Sequence, residues 1–135
     1  LHLSLRRQRQ MCIRDSIVVD GANGLHFGWV TIATVANTTA WFTQIAPAAW
    51  ADQAEIWAVA VLAVVLVIGV ASALVTRRIA PALATAWGLG WLAVGRLTGE
   101  PESTVTAIAA IIVAIVLVAA GVWGVLRRPR ADIAL

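Results

Sequence analysis

Thr31, Thr34, Asn37, Thr38 and Trp41 recur at intervals that, at 100° per residue, bring them within about 120° of one another on a helix. They form a polar and aromatic face in a stretch that is otherwise apolar. Such a face can line a ligand pocket, or it can join two helices at about 1 kcal/mol per hydrogen bond. Asn37 falls near the middle of the stretch, and an unpaired amide facing lipid costs several kcal/mol, so its side chain is expected to point at another helix or a cavity. A second aromatic feature is Trp87, with Trp91 one turn later and Gly88 and Gly90 beside them. It can pack against small residues of a neighbouring helix or stack on a flat aromatic ligand. Nowhere do two carboxylates, a Ser/His/Asp set or a Gly-rich phosphate loop fall at usable spacing, and the acids lie outside the apolar runs. The expected activity is therefore binding, not catalysis.

The elements that must hold these residues follow from composition. The chain of 135 residues is 61% hydrophobic and 13% charged, against about 45–50% and about 25% in soluble domains, which excludes an ordinary water-soluble globule. Four continuous apolar runs, 25–45, 56–75, 79–97 and 105–126, have 21, 20, 19 and 22 residues, each long enough as a helix to cross about 30 Å of hydrocarbon. They lack the alternating polarity of barrel strands, and in lipid a helix satisfies its own backbone. The expected fold is an all-α, polytopic transmembrane bundle of four helices. Pro81 fits the first turn of the third run, where its missing N–H costs no hydrogen bond. Arg96, at the end of that run, reads as snorkelling to the headgroups or pairing with Glu100. The fourth run has no polar side chain between Ala107 and Val122 and reads as scaffold.

The connections differ in charge. Those holding Asp52 and Glu55, and Glu100 and Glu102, are acidic, whereas Arg77-Arg78 and Arg127-Arg128-Pro129-Arg130 are basic. The positive-inside rule puts the basic segments, and with them the C-terminus, in the cytoplasm; the expected location is a bacterial cytoplasmic membrane. Most of the seven tryptophans (Trp29, Trp41, Trp50, Trp57 and Trp123) lie near span ends or in a short loop, where an indole N–H stays wet.

Leu3 to Ser16 resembles translated sequencing adapter, the mosaic end of transposase-based libraries reading Gln10-Met11-Cys12-Ile13-Arg14-Asp15-Ser16. Residues 1–16 are accordingly expected to be a disordered artefact, 17–24 a short leader loop and 131–135 a tail, with the chain the C-terminal part of a longer protein. Without 1–16, six Arg face six acids, so the isoelectric point near 11.1 is no argument for nucleic acid as a partner. Cys12 leaves with that segment, and with His26 the single remaining His, disulfides, thiolate catalysis and a Cys/His metal cluster are unsupported. No cofactor is expected.

The first run resembles the fifth transmembrane helix of the TspO/MBR translocator proteins, also called tryptophan-rich sensory proteins. The matching residues are Trp29, Val30, Thr31, Ala33, Thr34, Asn37 and Trp41. The resemblance implies a five-helix bundle around a pocket for tetrapyrroles, sterols or aromatic ligands, with four helices upstream and the three spans after Ile45 an extension. It also implies that Ala33 and Ala36 line the pocket. Thr38 and Phe42 stand where eukaryotic members carry a sterol-contact Tyr and a basic residue, and the chain has no Tyr. The resulting expectation is a membrane protein in a lipid bilayer that binds a porphyrin or other hydrophobic molecule for sensing or transport through Ala33, Thr34, Ala36, Asn37, Trp41, Trp87 and Trp91. Homo-oligomerisation is left open. The alternatives are part of a secondary transporter, which predicts inverted repeats and intramembrane charges, and a structural subunit without ligand.

Overall fold

The computed structural model describes the backbone of residues 2–100 and 102–127, and the side chains of 18–47, 49–100 and 102–127. Among these there are four α-helices and no strand: α1 (His2–Ile45), α2 (Ala54–Thr76), α3 (Ala80–Thr98) and α4 (Thr104–Leu126), with a 3₁₀ turn (Ala48–Gln53) leading into α2. α2, α3 and α4 begin and end within two residues of the runs read from the sequence. The expected tail at 131–135 lies outside the described residues.

α1 differs from expectation. It starts at His2 and continues without a break to Ile45, so residues 2–16 and 17–24 are both helical. The reason is local: the sequence before Pro47 has no proline, and the glycines at 21, 24 and 28 permit a helix even though they do not favour one. Its 44 residues correspond to about 66 Å, twice the thickness of a hydrocarbon core.

The other ends are set by short-range chemistry. Ser103 caps α4, accepting from the Thr106 N–H at 3.2 Å while its hydroxyl lies 2.7 Å from Glu55 Oε1, which ties the start of α4 to the start of α2. α2 stops at Arg77, in the left-handed region at φ 52°, with its N–H donated to the Ala73 carbonyl at 3.0 Å.

Neighbouring residues give the packing order. Ser103 faces Glu55, Leu117 meets Gly69 and Gly124 meets Ala73, so α2 and α4 run parallel. Gly24 lies on Ala80, Gly28 on Pro81 and Ala84, and Ile32 on Gly88, so α1 and α3 run parallel as well. The helices therefore alternate up and down, arranged in space as α1, α3, α4, α2, with α1 resting on α3. The core lies where α2, α3 and α4 converge and contains Leu62, Val65, Leu89, Ala93, Ala107, Ala110, Val113 and Leu117. Small residues let the backbones approach: a Cβ at Gly124 would stand 2.6 Å from the Ala73 carbonyl oxygen.

Ala49–Thr76 and Thr104–Leu126 are long and apolar enough to cross a membrane, and only 17% and 33% of their most apolar windows are buried. Their remaining surface is a belt of exposed Val and Ile, including Val64, Val67, Ile108 and Ile115, much larger than a soluble monomer carries. α1 and α3 fall short of that standard, because Thr31, Thr34, Asn37 and Thr38 in one, and Gly88, Gly90, Gly95 and Arg96 in the other, dilute the apolar content.

Candidate ligand groove

The α1–α3 seam begins with Gly24 and Gly28, one turn apart. A Cβ at Gly28 would lie 2.5 Å from the Pro81 carbonyl oxygen and 2.8 Å from the Ala84 Cβ, so only a bare backbone fits. Proline at the first turn of α3 leaves its own carbonyl to accept from Thr85 Oγ1 at 3.0 Å. That hydroxyl is buried and also lies 3.5 Å from the Gly28 carbonyl, too long for a second strong bond. Further along, Ile32 seats against Gly88.

Close backbone contact along the seam forces the larger side chains to its flank. There Leu25 and Trp29 of α1 and Leu83, Ala84 and Trp87 of α3 enclose an open apolar groove of about 370 Å³. Trp29 and Trp87 are 57% and 66% exposed, so their ring faces are available. Trp91 continues the row, its ring 6.1 Å from that of Trp87 in an edge-to-face pair. Apart from the two indole N–H groups the lining side chains carry no polar atom, so the groove can bind a flat apolar body but can neither hold a metal nor move a proton. Among the described residues no group of three or more His, Cys, Asp or Glu is arranged for a metal.

The residues singled out in the sequence divide. Trp87 lines the groove and Trp91 adjoins it, whereas Ala33, Thr34, Ala36, Asn37 and Trp41 do not line it. Asn37 is nine residues beyond Gly28, about 180° around the helix, so it points away from α3. It is exposed and makes no side-chain hydrogen bond among the described residues, so within them it meets neither another helix nor the groove. Thr31 on the same face turns its hydroxyl back to the Phe27 carbonyl at 2.8 Å, and Trp41 packs edge-on against Phe42 with centroids 5.2 Å apart. The lining residues that sequence reasoning missed are Leu25, Leu83 and Ala84, and Trp29 was read as an interfacial anchor and as part of the family resemblance, not as a lining residue. The signal that could have found them is the Gly24-x-x-x-Gly28 spacing: it marks the packed face of α1, and Leu25 and Trp29 border it.

The two ends of the bundle differ in charge. At one end Arg78 pairs with Asp20, both partly exposed, and Arg77 Nη1 donates to the Arg127 carbonyl at 3.1 Å. The Arg127 guanidinium lies over the Trp123 ring, 4.3 Å from its centroid. Glu55, Glu100 and Glu102 are at the opposite end.

A family model described as TSPO-like protein matches residues 1–123. The match takes in α2, α3 and most of α4, so the helices after Ile45 lie inside the matched region and are not an extension beyond it. No curated protein and no solved structure matches the chain.

Proposed function

Because the chain belongs to the TSPO-like protein family, we propose that it is an integral membrane protein that binds a flat hydrophobic ligand, of tetrapyrrole type, in the α1–α3 groove for sensing or transport. On this reading all four helices cross the bilayer. α1 and α3 are the less apolar pair because of the threonines and Asn37 of α1 and the glycines and Arg96 of α3, residues that suit contact with a helix, ligand or partner better than lipid. The basic end, with the C-terminus, lies in the cytoplasm, as the positive-inside rule requires, and the membrane is a bacterial cytoplasmic one. The protein acts by binding, not by catalysis.

The observation that supports this most is the pairing of Trp29 and Trp87 across a groove whose volume falls in the range of small-molecule sites. An indole stacked on a conjugated ring gains about 0.5–1.5 kcal/mol beyond its area, and its fluorescence is quenched. Titrating protoporphyrin into the full chain in detergent micelles should quench tryptophan emission saturably. Trp87→Leu should weaken binding about ten-fold while leaving thermal unfolding unchanged; equal affinity in the variant sinks the groove as the site.

The exposed amide of Asn37 favours a second reading, a structural subunit whose polar α1 face is covered by a helix of another protein. That reading predicts no saturable quenching.

A further inference from the structure

We infer that α1 pairs with α1 of a second copy of this chain, in parallel across a two-fold axis along the membrane normal, with Asn37 of one copy bonded to Asn37 of the partner subunit. The inference rests on the membrane reading of the bundle and is independent of the groove ligand.

Three observations support it. First, α1 has a face without a neighbour among the described residues. Gly24, Gly28, Ile32 and Val35 lie on the α3 side. About 180° away, Phe27, Val30, Thr34, Asn37, Trp41 and Gln44 follow one another at alternating intervals of three and four residues, every one exposed. That is the spacing of a helix–helix seam, and it runs for about 26 Å, close to the thickness of the hydrocarbon. Second, polar groups on and off this seam differ. Thr31, Thr39 and Thr43, off the seam, turn their hydroxyls back to carbonyls of α1 at 2.7–3.0 Å. Thr34 and Asn37, on it, make no side-chain hydrogen bond among the described residues, and lipid supplies none at mid-span. Third, the chemistry of Asn37 selects the occupant. A carboxamide carries both donor and acceptor, so two of them facing across a two-fold axis satisfy each other. The axis brings each residue to its own copy only in a parallel pair. The membrane makes the pair parallel, because Arg77, Arg78 and Arg127 at one end and Glu55, Glu100 and Glu102 at the other give every copy the same orientation. A single asparagine in such a seam also fixes its register.

The strip covers on the order of 300 Å² per chain, against about 800 Å² per partner in lasting soluble complexes, so the pair is reversible and depends on the bilayer. At one chain per detergent micelle it is dissociated, and the chain unfolds alone. Leu25 and Trp29 lie on the flank between the α3 contact and the seam, so pairing leaves the groove open.

The test uses the full chain in phosphatidylcholine vesicles; extraction by alkaline carbonate would refute the membrane reading and this inference with it. Donor and acceptor dyes on Cys12, the single cysteine, report pairing by energy transfer, which should fall as lipid is added at constant protein. Loss of the amide pair should weaken association about five-fold, so Asn37→Ala should dissociate at about one-fifth of the lipid needed for wild type. Asn37→Gln keeps donor and acceptor and should retain most of the transfer, and Ala36→Leu, exposed but off the seam, should leave it unchanged. In Cys12→Ser chains, oxidation should cross-link Asn37→Cys to its own copy and leave Ala36→Cys unlinked, which separates pairing along the seam from aggregation. Transfer equal in wild type and Asn37→Ala, or cross-linking equal at the two positions, overturns the proposal. Transfer in the inserted wild type no greater than random encounter gives overturns it too, and leaves the face to a helix of another protein.

Discussion

α4 and α1 are both helices in the same bundle, yet they are held in opposite ways. α4 sits between α2 and α3, and its Ala107, Ala110, Val113, Leu117, Gly121 and Gly124 are buried on a continuous stripe. α1 rests on α3 along Gly24, Gly28, Ile32 and Val35, with Trp29, Asn37 and Trp41 exposed. In lipid there is no hydrophobic drive between apolar helices, so close van der Waals packing decides which contacts last. α4 has that packing on two sides and α1 on one, which makes α4 the scaffold and α1 the helix whose surface is free to meet a ligand or a partner.

The comparison can be broken most directly at its strong side. Leu117 is fully buried in the core against Gly69, and Leu117→Ala removes dispersion contacts from the α2–α4 seam. The expected cost is about 2 kcal/mol or more, seen as a lower thermal unfolding midpoint in micelles. A change no larger than at an exposed α1 position would show that α4 is not the scaffold.

Gly28→Val attacks the weak side. Its Cβ meets the Pro81 carbonyl, so α1 must move off α3, at about 1–3 kcal/mol. Porphyrin quenching should disappear with it, because the groove needs both walls. Loss of stability with quenching intact would place the ligand elsewhere.

Asn37→Ala sharpens the comparison with the smallest effect. The amide has no partner among the described residues, so the expected change in unfolding is under about 0.5 kcal/mol. A loss above 1 kcal/mol would mean that a helix of another protein covers this face. Trp87→Leu, tested by titration, completes the set.

How much of this was legible in advance differs element by element. α2 and α4 were, because an unbroken apolar run of about 20 residues in this composition has one satisfactory conformation in lipid. Trp87 was singled out because tryptophan in mid-span beside glycines is unusual. The full length of α1 was not legible: glycine, aspartate and serine near residue 20 read equally as loop or helix, and contact with Pro81 and the Asp20–Arg78 pair favour the helix.

The side on which the α1 polar face lies was not legible either. The sequence by itself determined that Thr34, Asn37 and Trp41 share a face, since helical spacing is local arithmetic. Only the tertiary structure decided that Gly24 and Gly28 take the contact with α3 and turn Asn37 outward, because backbones approach closest where side chains are smallest. Which helix a face meets depends on the shape of the neighbour, here the first turn of α3, and no spacing within one helix records it.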